Sequence, residues 1–148
     1  MFKHIQNFLK LLSDDASKKQ QLIDFNTALA ALLIEVMRAD GQVLTSELKE
    51  ISKLLKQHCE LETKQVTQLM SLSESLVENA IDLHAFVTVI NQQTTYKERI
   101  DIVQILWTVA LADSKIDPDE DHIIRKISGL MHVAHVDFIA AKLSVQSK

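Results

Sequence analysis

The sequence predicts an all-α protein: a single compact bundle of about eight helices, built from two helix-turn-helix repeats related by a pseudo-twofold axis. Three observations carry that expectation. Only two glycines and one proline punctuate 148 residues, which leaves few helix breakers. Apolar residues recur at three- and four-residue spacing along much of the chain. Finally, residues 39–54 superpose without a gap on residues 112–127 at an offset of 73, the separation of Asp40 from Asp113. The offset pairs Ala39 with Ala112, Asp40 with Asp113, Glu47 with Glu120, Ile51 with Ile124 and Lys53 with Lys126. Self-similarity at one fixed offset marks a duplicated supersecondary unit, here a helix, a short acidic turn and a second helix.

The elements follow in order. Residues 1–14 form an amphipathic helix with Phe2, Ile5, Phe8, Leu9 and Leu12 on one side. Lys3 and Lys10 are too little positive charge for an anchor at a membrane surface, so the stripe reads as a packing face. The first repeat, residues 22–72, opens with an Ala- and Leu-rich stretch over 22–38 that is apolar almost all round, the mark of a buried central helix. Its partner covers 46–57, with Leu48, Ile51, Leu54 and Leu55 on one face, and a short helix covers 63–71. Helices at 74–79 and 82–92 lead out of the repeat, the latter with Asp82 as N-cap.

The second repeat, residues 95–143, begins with a helix over 96–112, in which Trp107 falls opposite Ile34 and reads as core. Asp117-Pro118-Asp119-Glu120 is a helix start: Asp as N-cap, Pro at the first helical position, and Glu placed to close a capping box. That helix runs to Gly129 or Leu130, and a last one covers 136–143 ahead of a frayed end. The two central helices should pack together over a core that includes Leu33, Val36, Leu54, Ile102, Leu106, Trp107, Val109, Ile124 and Ile127.

Composition narrows the class. One domain spanning 1–148 with 47% hydrophobic residues can bury a substantial core. A net charge of -4 argues against binding a nucleic-acid backbone, which needs a basic face. No apolar run approaches the roughly 20 residues of a membrane span. A single cysteine, Cys59, and no stretch resembling a signal peptide point to a reducing cytoplasm.

Chemistry concentrates in the two acidic turns. Asp40 and Asp113 sit at the carboxyl ends of long helices, where the helix dipole already concentrates partial negative charge, at a cost of about 0.3–1 kcal/mol each. One reading offsets that cost with a divalent cation, Ca2+ or Mg2+, held by Asp40 and Glu47 in one turn and by Asp113, Asp117 and Glu120 in the other, with backbone carbonyls completing the oxygen shell. The other reading is structural: the aspartates accept loop amides, while Glu47 and Glu120 sit in the first turn of a helix, where negative charge is favoured. Neither turn is an EF-hand. Its sixth position needs Gly and its twelfth Glu, whereas these turns present Pro118 and Ile124, or Thr45 and Ile51.

The doubled Ala-Asp-Gly/Ser turn followed by Glu, the run from Ile105 through Val133 and the closing Asp137-Phe138-Ile139-Ala140-Ala141-Lys142-Leu143 resemble the tellurite-resistance TerB-like family, from about residue 22 to 143. The resemblance implies an all-helical fold with pseudo-twofold halves, a bacterial cytoplasmic protein, and a metal-associated site at Asp40, Glu47, Asp113 and Glu120. In the first turn Leu44 stands where Asp117 stands in the second, so the first has fewer oxygens.

Other chemistry is weaker. His122, His132 and His135 approach metal-ligand spacing, but the only thiol belongs to the other repeat. No glycine-rich phosphate loop or Gly-x-Ser-x-Gly elbow is present, and His58, adjacent to Cys59 on a helix, points elsewhere. Two classes remain ahead of a metal-dependent hydrolase: a non-enzymatic domain that binds a divalent cation in a stress response, and a module for an unknown protein partner whose acidic turns are helix caps.

Overall fold

Asp24 accepts the Thr27 N–H at 2.8 Å and so starts the first described helix one turn later than its apolar run suggests. The structure is a computed structural model, and it describes residues 23–39, 45–79, 82–112 and 117–147. These residues hold seven helices and no strand: α1 (Phe25–Met37), α2 (Thr45–Cys59), α3 (Thr63–Glu78), α4 (Leu83–Gln93), α5 (Tyr96–Ala110), α6 (Pro118–Leu130) and α7 (His135–Gln146). The expected amphipathic helix over 1–14 lies outside the described residues.

Two further boundaries differ from the sequence expectation by more than two residues. The stretches 63–71 and 74–79 are one helix, α3, because Ser71-Leu72-Ser73 contains no breaker and the buried Ser73 hydroxyl donates to the Thr27 carbonyl of α1 at 3.5 Å. The last helix reaches Gln146 instead of stopping at 143, with Val145 packed against the core.

Every residue expected in the core is buried. The α1 helix contributes ten of its thirteen residues and packs against α2, α3, α4, α5 and α6, so the two central helices α1 and α5 meet as expected. The pairings are reciprocal. The first helix of each unit packs on its own third helix (α1 on α3, α5 on α7), and on the second helix of the other unit (α1 on α6, α5 on α2). Reciprocal pairing is what a twofold arrangement of duplicated units produces. Between the units, α4 lies across α1 and reaches α6.

The duplication extends beyond the acidic turns with a one-residue slip. Both second helices are followed by a residue with left-handed backbone, Glu60 (φ 53°) and His132 (φ 61°). In each case the next amide reaches back to close the helix: Leu61 N–H to the Lys56 carbonyl at 3.3 Å, and Val133 N–H to the Ser128 carbonyl at 3.0 Å. From there the offset is 72, and it matches the starts of α3 and α7 and the buried pair Val66 and Phe138.

The ends of α4 and α6 are tied by one side chain. Arg99 donates to the carbonyls of Asn91 (3.3 Å), Thr94 (3.0 Å) and Met131 (3.5 Å), while Asn91 Nδ2 donates to the Leu130 carbonyl at 3.1 Å. Helix ends leave carbonyls without intrahelical partners, and a planar guanidinium can serve several at once.

Candidate functional site

The two acidic turns are approached by matching backbone. The α1 helix closes with Arg38 N–H donating to Ile34 O at 2.9 Å and Ala39 N–H to Val36 O at 3.2 Å; α5 closes with Leu111 N–H to Trp107 O at 2.9 Å and Ala112 N–H to Val109 O at 3.1 Å. Each turn therefore leaves the carboxyl end of a buried helix through the same tightened last turn. Each then enters a helix whose third residue is the repeated glutamate, Glu47 in α2 and Glu120 in α6.

Both glutamates are buried, at 1% and 2% exposure. A carboxylate is rarely buried so fully without compensation, because leaving water penalises its charged form. The helix amino terminus supplies part of that compensation through its partial positive charge. In the second unit a hydrogen bond adds to it: Asp117 N–H donates to Glu120 Oε1 at 3.2 Å. In return the Asp117 side chain accepts from the Glu120 amide, and its Oδ1 accepts from Asp119 N–H at 2.7 Å. The capping box and Pro118 at the helix start are as the sequence predicts. Asp40 and Asp113 lie outside the described residues.

Sequence reading missed a cluster flanking the second turn. A cavity of about 630 Å³ is lined by Leu111, Pro118, Asp121, His122, Arg125 and Lys142, among others. Asp121 receives Arg125 Nη2 and Lys142 Nζ, each at 3.1 Å, on its two oxygens. Arg125 lies 4.9 Å from the Phe138 ring centre and Lys142 lies 5.0 Å from that of Trp107. Burial alone would raise the Asp121 pKa, but the hydrogen bonds and charges of Lys142 and Arg125 prevail and hold it below the usual range. The sequence carries one signal for this cluster, the four-residue spacing of Asp121 and Arg125.

The structure does not gather the histidines. His122, His132 and His135 are exposed, and among the described residues no three His, Cys, Asp or Glu side chains form a group able to hold a metal. Cys59 is half-buried, and its thiol is pushed up first by that burial and then by the Asp24 carboxylate, the opposite of an activated nucleophile.

The family model for "Tellurite resistance protein TerB" matches residues 26–143, from the second residue of α1 into α7, and so spans both units and both acidic turns. The chain belongs to the TerB family. Comparison with curated proteins and with solved structures gives no match. The TerB match covers the paired glutamates and the α5–α7 cluster alike, and leaves residues 1–25 outside it. No described helix of this TerB domain is long and apolar enough to cross a membrane.

Proposed function

We propose that this TerB domain is a non-enzymatic cytoplasmic module that binds a divalent cation at its acidic turns. Asp40 and Glu47 would hold it in the first unit, and Asp113, Asp117 and Glu120 in the second. Cation loading then sets how the domain presents itself to a protein partner, in a stress response of the kind the family's name records. The observation that carries this reading is the burial of Glu47 and Glu120 at the same helix position in both units.

The residues present suit a hard cation. Ca2+ and Mg2+ take carboxylate and carbonyl oxygens, and each turn joins the carbonyl end of one buried helix to a buried carboxylate at the start of the next. The Asp117 N–H on Glu120 Oε1 is compatible with ligation, since a carboxylate oxygen has two lone pairs and ligating carboxylates are commonly oriented by such hydrogen bonds. A bound cation would offset the negative charge collected at the turn. The chain's own part is to hold the carboxylates in a fixed direction and keep water off one side of them.

A second reading is favoured by one observation: both Asp117 and Glu120 are engaged in the capping box. On that reading the turns are structural, and the domain acts through its surface alone. Calorimetric titration with Ca2+, Mg2+, Mn2+ and Zn2+ separates the two. Cation binding predicts saturable heat that is lost in the Asp40→Asn/Asp113→Asn double variant. Absence of heat with all four cations would leave the capping reading.

A further inference from the structure

We propose that the trough between α2 and α5 is the seat of the chain's own N-terminal segment, and that residues 1–12 bind there as an amphipathic helix. Two cavities, of about 420 and 640 Å³, lie end to end along these helices and share His58, Asp101 and Ile105, which makes them one trough. Its lining is mixed, with Phe25, Leu29, Leu54, Ile102 and Ile105 beside charged and polar side chains. Leu54 and Ile105, each 7% exposed, are among the least covered members of the core and lie in it.

Position, length and charge single out the occupant. One end of the trough is formed by Phe25, the first residue of α1, where the N-terminal segment joins the described chain. Along α5 the trough runs from Glu98 to Leu111, about 20 Å at 1.5 Å per residue, and residues 2–12 as a helix need about 15 Å. Residues 13–22 can span up to about 33 Å, so the connection reaches any point of it. Phe2, Ile5, Phe8, Leu9 and Leu12 supply an apolar stripe for the apolar part of that lining. Lys3 and Lys10 fall on the opposite side, in water, and the segment has no acid, whereas the trough carries Glu50, Glu98 and Asp101 against Lys53. Opposite net charge draws the segment to the trough. The cavity between α2 and α3, lined by Leu48 and Val66, is bordered instead by Lys49, Lys53 and Lys56, the wrong charge for this segment.

Disulfide trapping in the full-length chain tests the proposal. In a Cys59→Ser background, Gln6→Cys is paired with Gln57→Cys or Gln104→Cys in the trough, with Ser75→Cys on α3, or with Ala140→Cys on α7. The trough pairs are expected to close within one molecule about tenfold faster than the other two, the effect of a high local concentration. Phe8→Glu, which alters only the segment, should reduce the trough pairs to the control rate. Equal rates for all pairs, preferential closure with Ala140→Cys, or disulfide-linked dimers would each overturn the proposal. So would sedimentation with phosphatidylglycerol vesicles that requires residues 1–12 while the trough pairs stay open.

Discussion

The ammonium of Lys142 lies 5.0 Å from the centre of the Trp107 ring and 3.1 Å from Asp121 Oδ2, so one cation joins α7 both to the core of the second unit and to the helix that follows the acidic turn. Trp107 itself is fully buried and packs against Phe138 of α7, the tilted rings 5.4 Å apart between centres. Removing the ring should therefore cost far more than removing the cation above it.

Trp107→Ala is expected to destabilise the protein by about 3–5 kcal/mol, the range for emptying a large aromatic site. Lys142→Met, which retains most of the stem, should cost about 1 kcal/mol. Urea denaturation of both variants checks the order. The Asp121 contribution has a definite sign with pH. Its folded pKa lies below the ordinary 3.8, so its stabilisation is complete above that value and disappears as the pH falls below it.

Arg99→Ala should cost about 2–3 kcal/mol, because it leaves helix-end carbonyls of both α4 and α6 without their charged donor. Arg99→Lys should recover little of this, since an ammonium cannot address Asn91, Thr94 and Met131 with one planar group. Thermal melts of the two variants side by side decide whether the fork or the charge matters.

The two readings of the acidic turns give opposite signs for one substitution. If Asp113 is a ligand, Asp113→Asn in chelator should leave stability unchanged or raise it, and stabilisation by added Ca2+ or Mg2+ should vanish. If it is a cap, the substitution should cost about 0.5–2 kcal/mol with or without cation. Melts of wild type, Asp113→Asn and Asp40→Asn distinguish these, with the larger response expected from the second unit, where Asp117 and Asp119 add oxygens.

Glu35→Gln should stabilise the protein at neutral pH. Burial raises the Glu35 pKa against the opposing charges of Arg38 and Lys126, so the charged form is penalised in the fold. Stability is complete below the ordinary value of 4.5 and falls as the pH rises through the raised folded value. The gain from the neutral amide should therefore shrink to nothing below pH 4.5, which melts across that range would reveal.

Much of this was legible in the sequence, for identifiable reasons. Asp82, Thr95 and Asp117 begin helices through hydrogen bonds that span two or three residues, so local spacing was enough to find Asp82 and Asp117. The buried heart of α1 and the position of Trp107 followed from apolar periodicity and from the duplicated register. What local spacing could not reveal is what depends on contacts between distant segments. The Ser73 contact with Thr27 spans 46 positions, so nothing local joins the expected helices at 63–71 and 74–79 into one. Lys142 meets Asp121 only because α7 packs along α5, which brings its side chains within reach of α6. The slip from 73 to 72 falls where His132 and Glu60 adopt left-handed backbone without being glycine, so no residue type announces it. Of the expected site, the structure describes Glu47, Asp117 and Glu120, each at the start of its helix.

The enclosure of α1 by five other helices governs how the protein opens. Its middle amides should meet solvent only when both units come apart together, because losing any one of the five neighbours leaves four in place. Hydrogen exchange there should run at the rate set by global unfolding, while α7, with its open outer face, exchanges through local opening. A helix drawn from one half of a duplicated chain should thus make the two halves open as a single cooperative unit.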